Sequence, residues 1–390
     1  VTASWICGFE GGVAAADDIT LTGAGSSSYV TSPVRTGGTG AMAYRMNPAS
    51  SAVISFATGT ATAGDRSRVH FGFRIATAPS SGERTIFGAT AAGTVNIRLQ
   101  SNQTLQYYIN TTLMGTSQPL ALNQWYWLGV LNTSQGSIVT NLLMIDGVSA
   151  ITGVASTISV SVNVVGCGTG SEAAVDVYYD DVVCDDSALL PPSNIAILLP
   201  TSDNSVGSGW TLGSGGTTNL FGGVDNQPPA GVADTGATAQ IRNAAANTNS
   251  YVANLPSYAT VGVNAIDKFV AVQGSLWTGA PVATSAKSGT YTVTNPAIGA
   301  NALAAGGTAG AFWSGVAAGT FPTGWKRTSV GIITSASLLT RTTAPTFTVT
   351  QTTSSTRIAM VCAMWLIVAW TPGKDPNSIQ SRIYPQLLAQ

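Results

Sequence analysis

Apolar and polar residues alternate with a period of two along most of this chain, and no segment of useful length keeps helical spacing. The clearest case is residues 68–76, RVHFGFRIA. There Val69, Phe71, Phe73 and Ile75 point one way, and His70, Gly72 and Arg74 the other. Residues 175–186, VDVYYDDVVCDD, set Val175, Val177 and Tyr179 against Asp176, Tyr178 and Asp180, then continue with β-branched residues. This stretch is expected to close a β-domain that begins with a strand at residues 5–10, WICGFE. Between the two, the pattern predicts about a dozen short strands at the turn spacing of a sandwich or jelly roll. Residues 125–130, WYWLGV, are apolar on both faces and therefore central. Asp146-Gly147 is a favoured pair for a tight hairpin turn.

Pro191 and Pro192 interrupt the pattern, because neither can sit inside a paired central strand. They place a boundary between a first domain, residues 1–190, and a second, residues 195–371. The second domain also reads as strands, among them residues 210–212, 269–276, 290–294, 346–352 and 358–370. The last of these, IAMVCAMWLIVAW, has 13 apolar residues. A helix needs about 20 to cross a bilayer, so a buried central strand is predicted and no membrane insertion. Residues 299–310 are Ala/Gly-rich and read as a long loop. Residues 372–390 form an extended tail in which Ile379, Ile383, Tyr384, Leu387 and Leu388 are apolar. These five are the candidate assembly residues, docking on a neighbouring subunit or on the chain's own domain. The expected fold is all-β: two jelly-roll-like β-sandwiches in tandem with a C-terminal extended tail.

Composition narrows the setting. Charged residues make up only 8% of the chain, against about 25% in ordinary domains. With 44 Gly, and Ser, Thr, Asn and Gln in place of charge, the surface suits packing inside an assembly. The net charge is −1 and Lys and Arg are scattered, so there is no footprint for nucleic acid. The chain opens at Val1 without a basic or apolar leader, so no signal peptide is expected and Val1 would follow a removed initiator Met. The four cysteines have no CxxC spacing, which leaves zinc and redox chemistry without support. Cys7 and Cys184 would be neighbours if the first and last strands pair, as buried thiols in preference to a disulfide.

Six of the 17 acidic residues fall between Glu172 and Asp186. Asp180, Asp181, Asp185 and Asp186 are therefore candidates for a metal site or a carboxylate pair. The favoured expectation is the solvated face and end of a strand, since period two sends adjacent Asp side chains to opposite faces. His70 is the only histidine and is expected at the surface of its sheet. Glycoside hydrolysis needs two carboxyl groups about 5 to 10 Å apart. Glu10, Glu83 and Glu172 are far apart in sequence, and neither a GxSxG elbow nor a phosphate loop stands in strand–helix context. No catalytic residue and no cofactor are expected. Tyr107, Tyr108, Trp125, Trp127, Tyr178 and Tyr179 are the candidates for an aromatic sugar platform, though alternation turns about half of them into the core.

The order of WICGFEGG, VTSPVRTGGTGAMAYRM, RVHFGFRI, NQWYWLGV, LLMIDG and VDVYYDDVVCDD over residues 1–186 resembles the concanavalin A-like, laminin-G-like jelly roll of tailed-phage virion proteins. In that family an N-terminal GFE strand pairs with a terminal DDV strand. The second half is similar to the β-sandwich that often follows it, on Trp210, residues 225–229, Tyr251-Val252 and AVQGSLW, but it lacks the acidic loop before Tyr251. The resemblance implies a non-enzymatic structural component of a phage particle, assembled in the host cytoplasm. The expected role is a minor tail or fibre-associated protein whose partners are other virion proteins, copies of itself and a host-surface glycan. Two alternatives stand beside it: a capsid decoration or head-fibre protein, and a carbohydrate-binding or glycan-hydrolysing sandwich protein.

Overall fold

The structure is a computed structural model. It describes residues 3–9, 20–23, 26–35, 41–49, 54–57, 66–88, 95–109, 111–135, 138–156, 164–168, 172–185, 192–225, 241–243, 248–279, 289–295, 298–302, 325–327, 342–351 and 359–373. The residues predicted for assembly, Ile379, Ile383, Tyr384, Leu387 and Leu388, lie outside the described residues, as do Asp186, Pro191 and most of the Ala/Gly-rich stretch. The chain is all-β.

The first half contributes β1 (Ala3–Cys7), β2 (Thr20–Gly23), β3 (Ser27–Val30), β4 (Ala43–Met46), β5 (Ile54–Ala57), β6 (Arg66–Thr77), β7 (Glu83–Phe87) and β8 (Val95–Gln100). It continues with β9 (Leu105–Ile109), β10 (Thr112–Thr116), β11 (Trp125–Gln135), β12 (Ile138–Ile145), β13 (Val148–Ser156), β14 (Val164–Gly168) and β15 (Asp176–Asp185). Sheet I has the order β13-β12-β11-β6-β15-β4-β3, with β1 also on β15; sheet II has the order β10-β9-β8-β7-β14-β5-β2. All pairs are antiparallel, and the two inner faces meet in one core built on Phe71, Phe73, Ile97, Leu99, Tyr107, Leu128, Val177 and Tyr179. The β12–β13 turn has Asp146 at φ 52° and Gly147 at φ 81°, the left-handed pair that a tight hairpin demands.

The second half contributes β16 (Asn194–Leu198), β17 (Ser202–Val206), β18 (Trp210–Leu212), β19 (Ile241–Asn243), β20 (Asn249–Asn254), β21 (Lys268–Gly279), β22 (Gly289–Val293), β23 (Ile298–Ala302), β24 (Trp325–Arg327), β25 (Thr346–Gln351) and β26 (Ala359–Thr371). Sheet III runs β18-β19-β26-β21-β24, with β16 also on β26, and sheet IV runs β17-β20-β25-β22-β23. β23 corrects the loop expected from residue 299: its backbone pairs with β22 despite Ala and Gly content, because ladder bonds need no particular side chain. Two short 3₁₀ turns, Leu220–Gly223 and Tyr258–Val261, complete the unit. Among the described residues no helix is long and apolar enough to cross a membrane.

The apolar run at residues 358–370 now has a physical reason. Along β26, Val361, Met364, Leu366, Val368 and Trp370 face the core between sheets III and IV. Trp365, Ile367 and Ala369 face the other way and form a second apolar layer with Ile195, Ile197, Val270 and Ala271 of sheet III and Ile6, Trp127 and Val183 of sheet I. The outer faces of sheets I and III are therefore packed on each other. The sheets stack in the order II, I, III, IV, and β26 is apolar from Met364 to Trp370 because both its faces are covered there.

Candidate functional site

The acidic strand carries Asp180 and Asp181 into the interior. β15 alternates as far as Asp180, which lies opposite Gly72, and then a bulge shifts the register so that Val183 lies opposite His70. Asp181 fills the bulge at φ 49°, a left-handed conformation that Asp tolerates better than most residues. The bulge falls where the neighbour of β15 changes from β4 to β1. Arg35 enters at this point. Its backbone N–H donates to Asp180 Oδ2 at 2.7 Å, and its guanidinium donates to Asp181 Oδ2 at 2.6 Å and to the Ser193 carbonyl. The same guanidinium lies 4.7 Å above the Trp127 ring. Asp181 Oδ1 accepts from the Ile195 N–H at 2.8 Å, and Asp180 Oδ1 accepts from the Asp181 N–H at 2.8 Å. A Cβ at Gly72 would lie 2.6 Å from Arg35 Cδ, so Gly is needed there for the arginine to lie across the strand.

Asp180 and Asp181 are 1% and 0% exposed, which corrects the expected solvated face. Burial, reinforced by the charge of Asp181, pushes the Asp180 carboxyl well above the usual carboxylate range. The cation facing this pair is a guanidinium of the same chain, and the contacts run from the β3–β4 loop through β15 to β16. The arrangement clasps the two sandwiches together. Among the described residues no three His, Cys, Asp or Glu side chains gather as a ligand set. Asp185 pairs through its backbone with Ala3 and Arg68.

His70 is also buried, not at the surface. It is 0% exposed, stacked 6.0 Å from Trp127, and Gly129 leaves the room for its ring, since a Cβ there would lie 2.9 Å from His70 Cδ2. Of the aromatic candidates, Tyr107 and Tyr179 are in the core, Trp127 is in the layer between the sandwiches, and Tyr178 is buried between two arginines on sheet I. Cys7 and Cys184 are buried thiols on paired strands, with Cys7 opposite Val182 and Cys184 opposite Trp5.

Tyr108 is different. It stands on the outer face of sheet II, and among the described residues the layer between the sandwiches is built from sheets I and III. Arg98 lies over its ring at 4.1 Å, and Tyr108 Oη donates to Gln106 Oε1 at 2.8 Å. Arg98 donates to Glu83 Oε1 at 2.5 Å, and Gln100 Nε2 donates to Glu83 Oε2 at 3.1 Å. The register explains the cluster: Glu83 faces Gln100 across β7–β8, and Arg98 faces Gln106 across β8–β9. A carboxylate, a guanidinium, two amides and a phenol thus share one partly exposed surface. Glu172 comes close as well, along the edge of β7, where its carboxylate accepts from the Thr85 N–H and hydroxyl, both at 2.7 Å. Sequence separation hid this grouping of Glu83 and Glu172. The available signal was the outward phase of Arg98, Gln100, Gln106 and Tyr108 on adjacent predicted strands.

No family model and no curated protein matches this chain. Solved structures do. A PL-14 alginate lyase from Aplysia kurodai is similar at 10% identity and a TM-score of 0.35, over 48% of this chain and 100% of that one. Domain 4 of AbnA, a GH43 extracellular arabinanase from Geobacillus stearothermophilus, is similar at 15% identity and a TM-score of 0.37, over 49% and 95%. A structure concerned with cell entry of botulinum neurotoxin type C and its interaction with two ganglioside molecules is similar at 12% identity and a TM-score of 0.33, over 44% of each chain. At these scores the likeness carries no argument about activity.

Proposed function

We propose that this chain is a non-enzymatic carbohydrate-binding β-sandwich protein and that the outer face of sheet II carries the contact. The observation that supports this reading is the cross-strand cluster of Tyr108, Arg98, Glu83, Gln100 and Gln106. Sugars offer hydroxyls that both donate and accept, together with apolar C–H faces. Planar carboxylate, amide and guanidinium groups held by one another, beside a phenol, match that chemistry. Each carboxylate there is engaged, Glu83 by Arg98 and Gln100 and Glu172 by Thr85, which suits recognition better than proton transfer.

The test is calorimetric titration of the full chain with a panel of neutral oligosaccharides. Tyr108→Ala is expected to weaken the best ligand about tenfold or more, the size of a central interface contact, without moving the melting temperature. Absence of any binding sugar, or equal binding by the variant, would refute the reading.

A second reading has its own observation. The buried layer between sheets I and III joins the sandwiches into a stack of four sheets, and only 8% of the residues are charged. Those features suit a structural component of a phage particle, on the tail or the head, and a sugar-binding face would then be displayed on that particle. Gold-labelled antibodies against the chain should decorate virions at one location; undecorated particles that contain no such chain would remove this reading.

A further inference from the structure

Among the described residues the second sandwich covers part of the outer face of sheet I: Trp127 and Val183 lie in the shared layer, while Trp125 and Arg74 are partly exposed. Next to the clasp, one row of cross-strand neighbours lies at the rim of the covered area. It runs from Trp125 on β11 through Arg74 on β6 and Tyr178 on β15 to Arg45 on β4. The guanidinium carbons of Arg74 and Arg45 are 5.2 and 5.8 Å from the centroid of the Tyr178 ring. The two cations differ in one respect. Arg45 is neutralised by Asp176 through two parallel bonds, Nε to Oδ1 at 2.9 Å and NH2 to Oδ2 at 2.7 Å. Arg74 makes one exposed side-chain hydrogen bond, from NH2 to Asn123 Oδ1 at 2.8 Å, and meets no carboxylate among the described residues. Directly across the strand pair, Trp125 is half-buried and has no ring contact among the described residues.

We propose that Trp125 and Arg74 form a binding site for a carboxylate-bearing polysaccharide, with the carboxylate on the Arg74 fork and the apolar face of a sugar ring on the indole. A guanidinium beside the Tyr178 ring, with one nitrogen bonded to Asn123, presents its remaining N–H donors in the planar fork that a carboxylate fills. Adjacent strands are about 4.8 Å apart and Trp125 is the direct cross-strand partner of Arg74, so one short oligosaccharide can lie across both side chains. Charge count favours a glycan over an acidic peptide. Arg35 and Arg45 are already neutralised, so among the described residues of this row one cation is left, enough for one carboxylate on one sugar but not for a run of acidic side chains. The site is independent of the Tyr108 face on the opposite side of the sandwich.

The test uses the full chain, with calorimetry and tryptophan fluorescence. The probes are trigalacturonate, a hyaluronan tetrasaccharide, the methyl ester of trigalacturonate, tetraglutamate and inorganic phosphate. At least one acidic oligosaccharide should bind and quench tryptophan emission. Arg74→Gln should weaken it about tenfold or more, as loss of a charged hydrogen-bonded contact does. Arg74→Lys should recover part of the loss, because an ammonium keeps the charge without the fork. Tyr108→Ala should leave this binding unchanged even if it abolishes binding of neutral sugars. The comparison of trigalacturonate with its ester needs no variant and decides the matter if Arg74→Gln does not fold. The proposal is overturned if neither acidic oligosaccharide binds, if ester and acid bind alike, if folded Arg74→Gln binds like the parent, or if tetraglutamate or phosphate binds as tightly.

Discussion

A single histidine makes this chain unusually easy to interrogate one residue at a time. Burial, helped by the charge of Arg68, lowers the pKa of His70 from 6.5 to about 3. The folded protein therefore keeps the imidazole neutral where the unfolded chain would take up a proton. As pH falls from 6.5 towards 3, the unfolded state binds more protons and stability declines. Asp180 acts in the opposite sense. Its raised pKa makes the folded state hold a proton that the unfolded chain releases above 3.8, so its contribution is lost as pH rises. The histidine resonance in an NMR titration should stay at its neutral position between about pH 7 and 5, where an ordinary imidazole would move. His70→Asn, compared with the parent by denaturant melts across the same range, should remove the downward slope on acidification. A normal titration near 6.5 would mean that water reaches the ring.

At the scale of one element, β15 decides the organisation of the first sandwich. Its bulge turns both Asp180 and Asp181 to the side on which Arg35 and β16 lie, while Val182 and Cys184 return to the core. Asp181→Ala leaves Arg35 without its carboxylate and removes the short polar side chain that lets Asp tolerate the left-handed region. Breaking a buried pair costs about 3–5 kcal/mol. A lower denaturant midpoint with an unchanged slope is the expected readout. Adding Arg35→Met to that background should cost less than the sum of the two single changes, because each removes the same pair. Calcium should leave the melting temperature unmoved, since the oxygens of both carboxylates already accept hydrogen bonds from the chain. Equal stability of Asp181→Ala and the parent would show that the clasp is incidental.

For the whole molecule the question is whether two sandwiches melt as one. Residues of β1, β11, β15, β16, β21 and β26 bury an apolar layer between sheets I and III, and the Arg35 clasp lies at its edge. Each fully buried Ile or Val there contributes about 1.5–3 kcal/mol. Calorimetry of the full chain is expected to give one cooperative transition. Ile367→Asp puts an unpaired charge into that layer at a cost of several kcal/mol. It should split the transition in two while both sandwiches keep their β-type circular dichroism. Two independent transitions already present in the parent would contradict strong coupling between the sheets.

Local pattern by itself determined the all-β class, the alternation in β6, the hairpin at Asp146-Gly147 and the central place of β26, whereas the pairing of the first strand with the acidic one came from a family resemblance. Each feature set by local pattern depends on side chains a few residues apart, or on apolar residues so continuous that both faces must be buried. Tertiary structure alone decided the fate of Asp180, Asp181 and His70. Polar residues on the outer face of a strand look the same in sequence whether water or a second sandwich covers them. The bulge at Asp181 is a single added residue that period-two counting cannot see. Glu172 meets β7 from a distant part of the chain, and among the described residues Arg74 lacks the carboxylate that Arg45 has, through strand neighbours set by sheet order. Sheet order is a property of long-range pairing, so neither the clasp nor the Trp125–Arg74 row could be read from spacing along the chain.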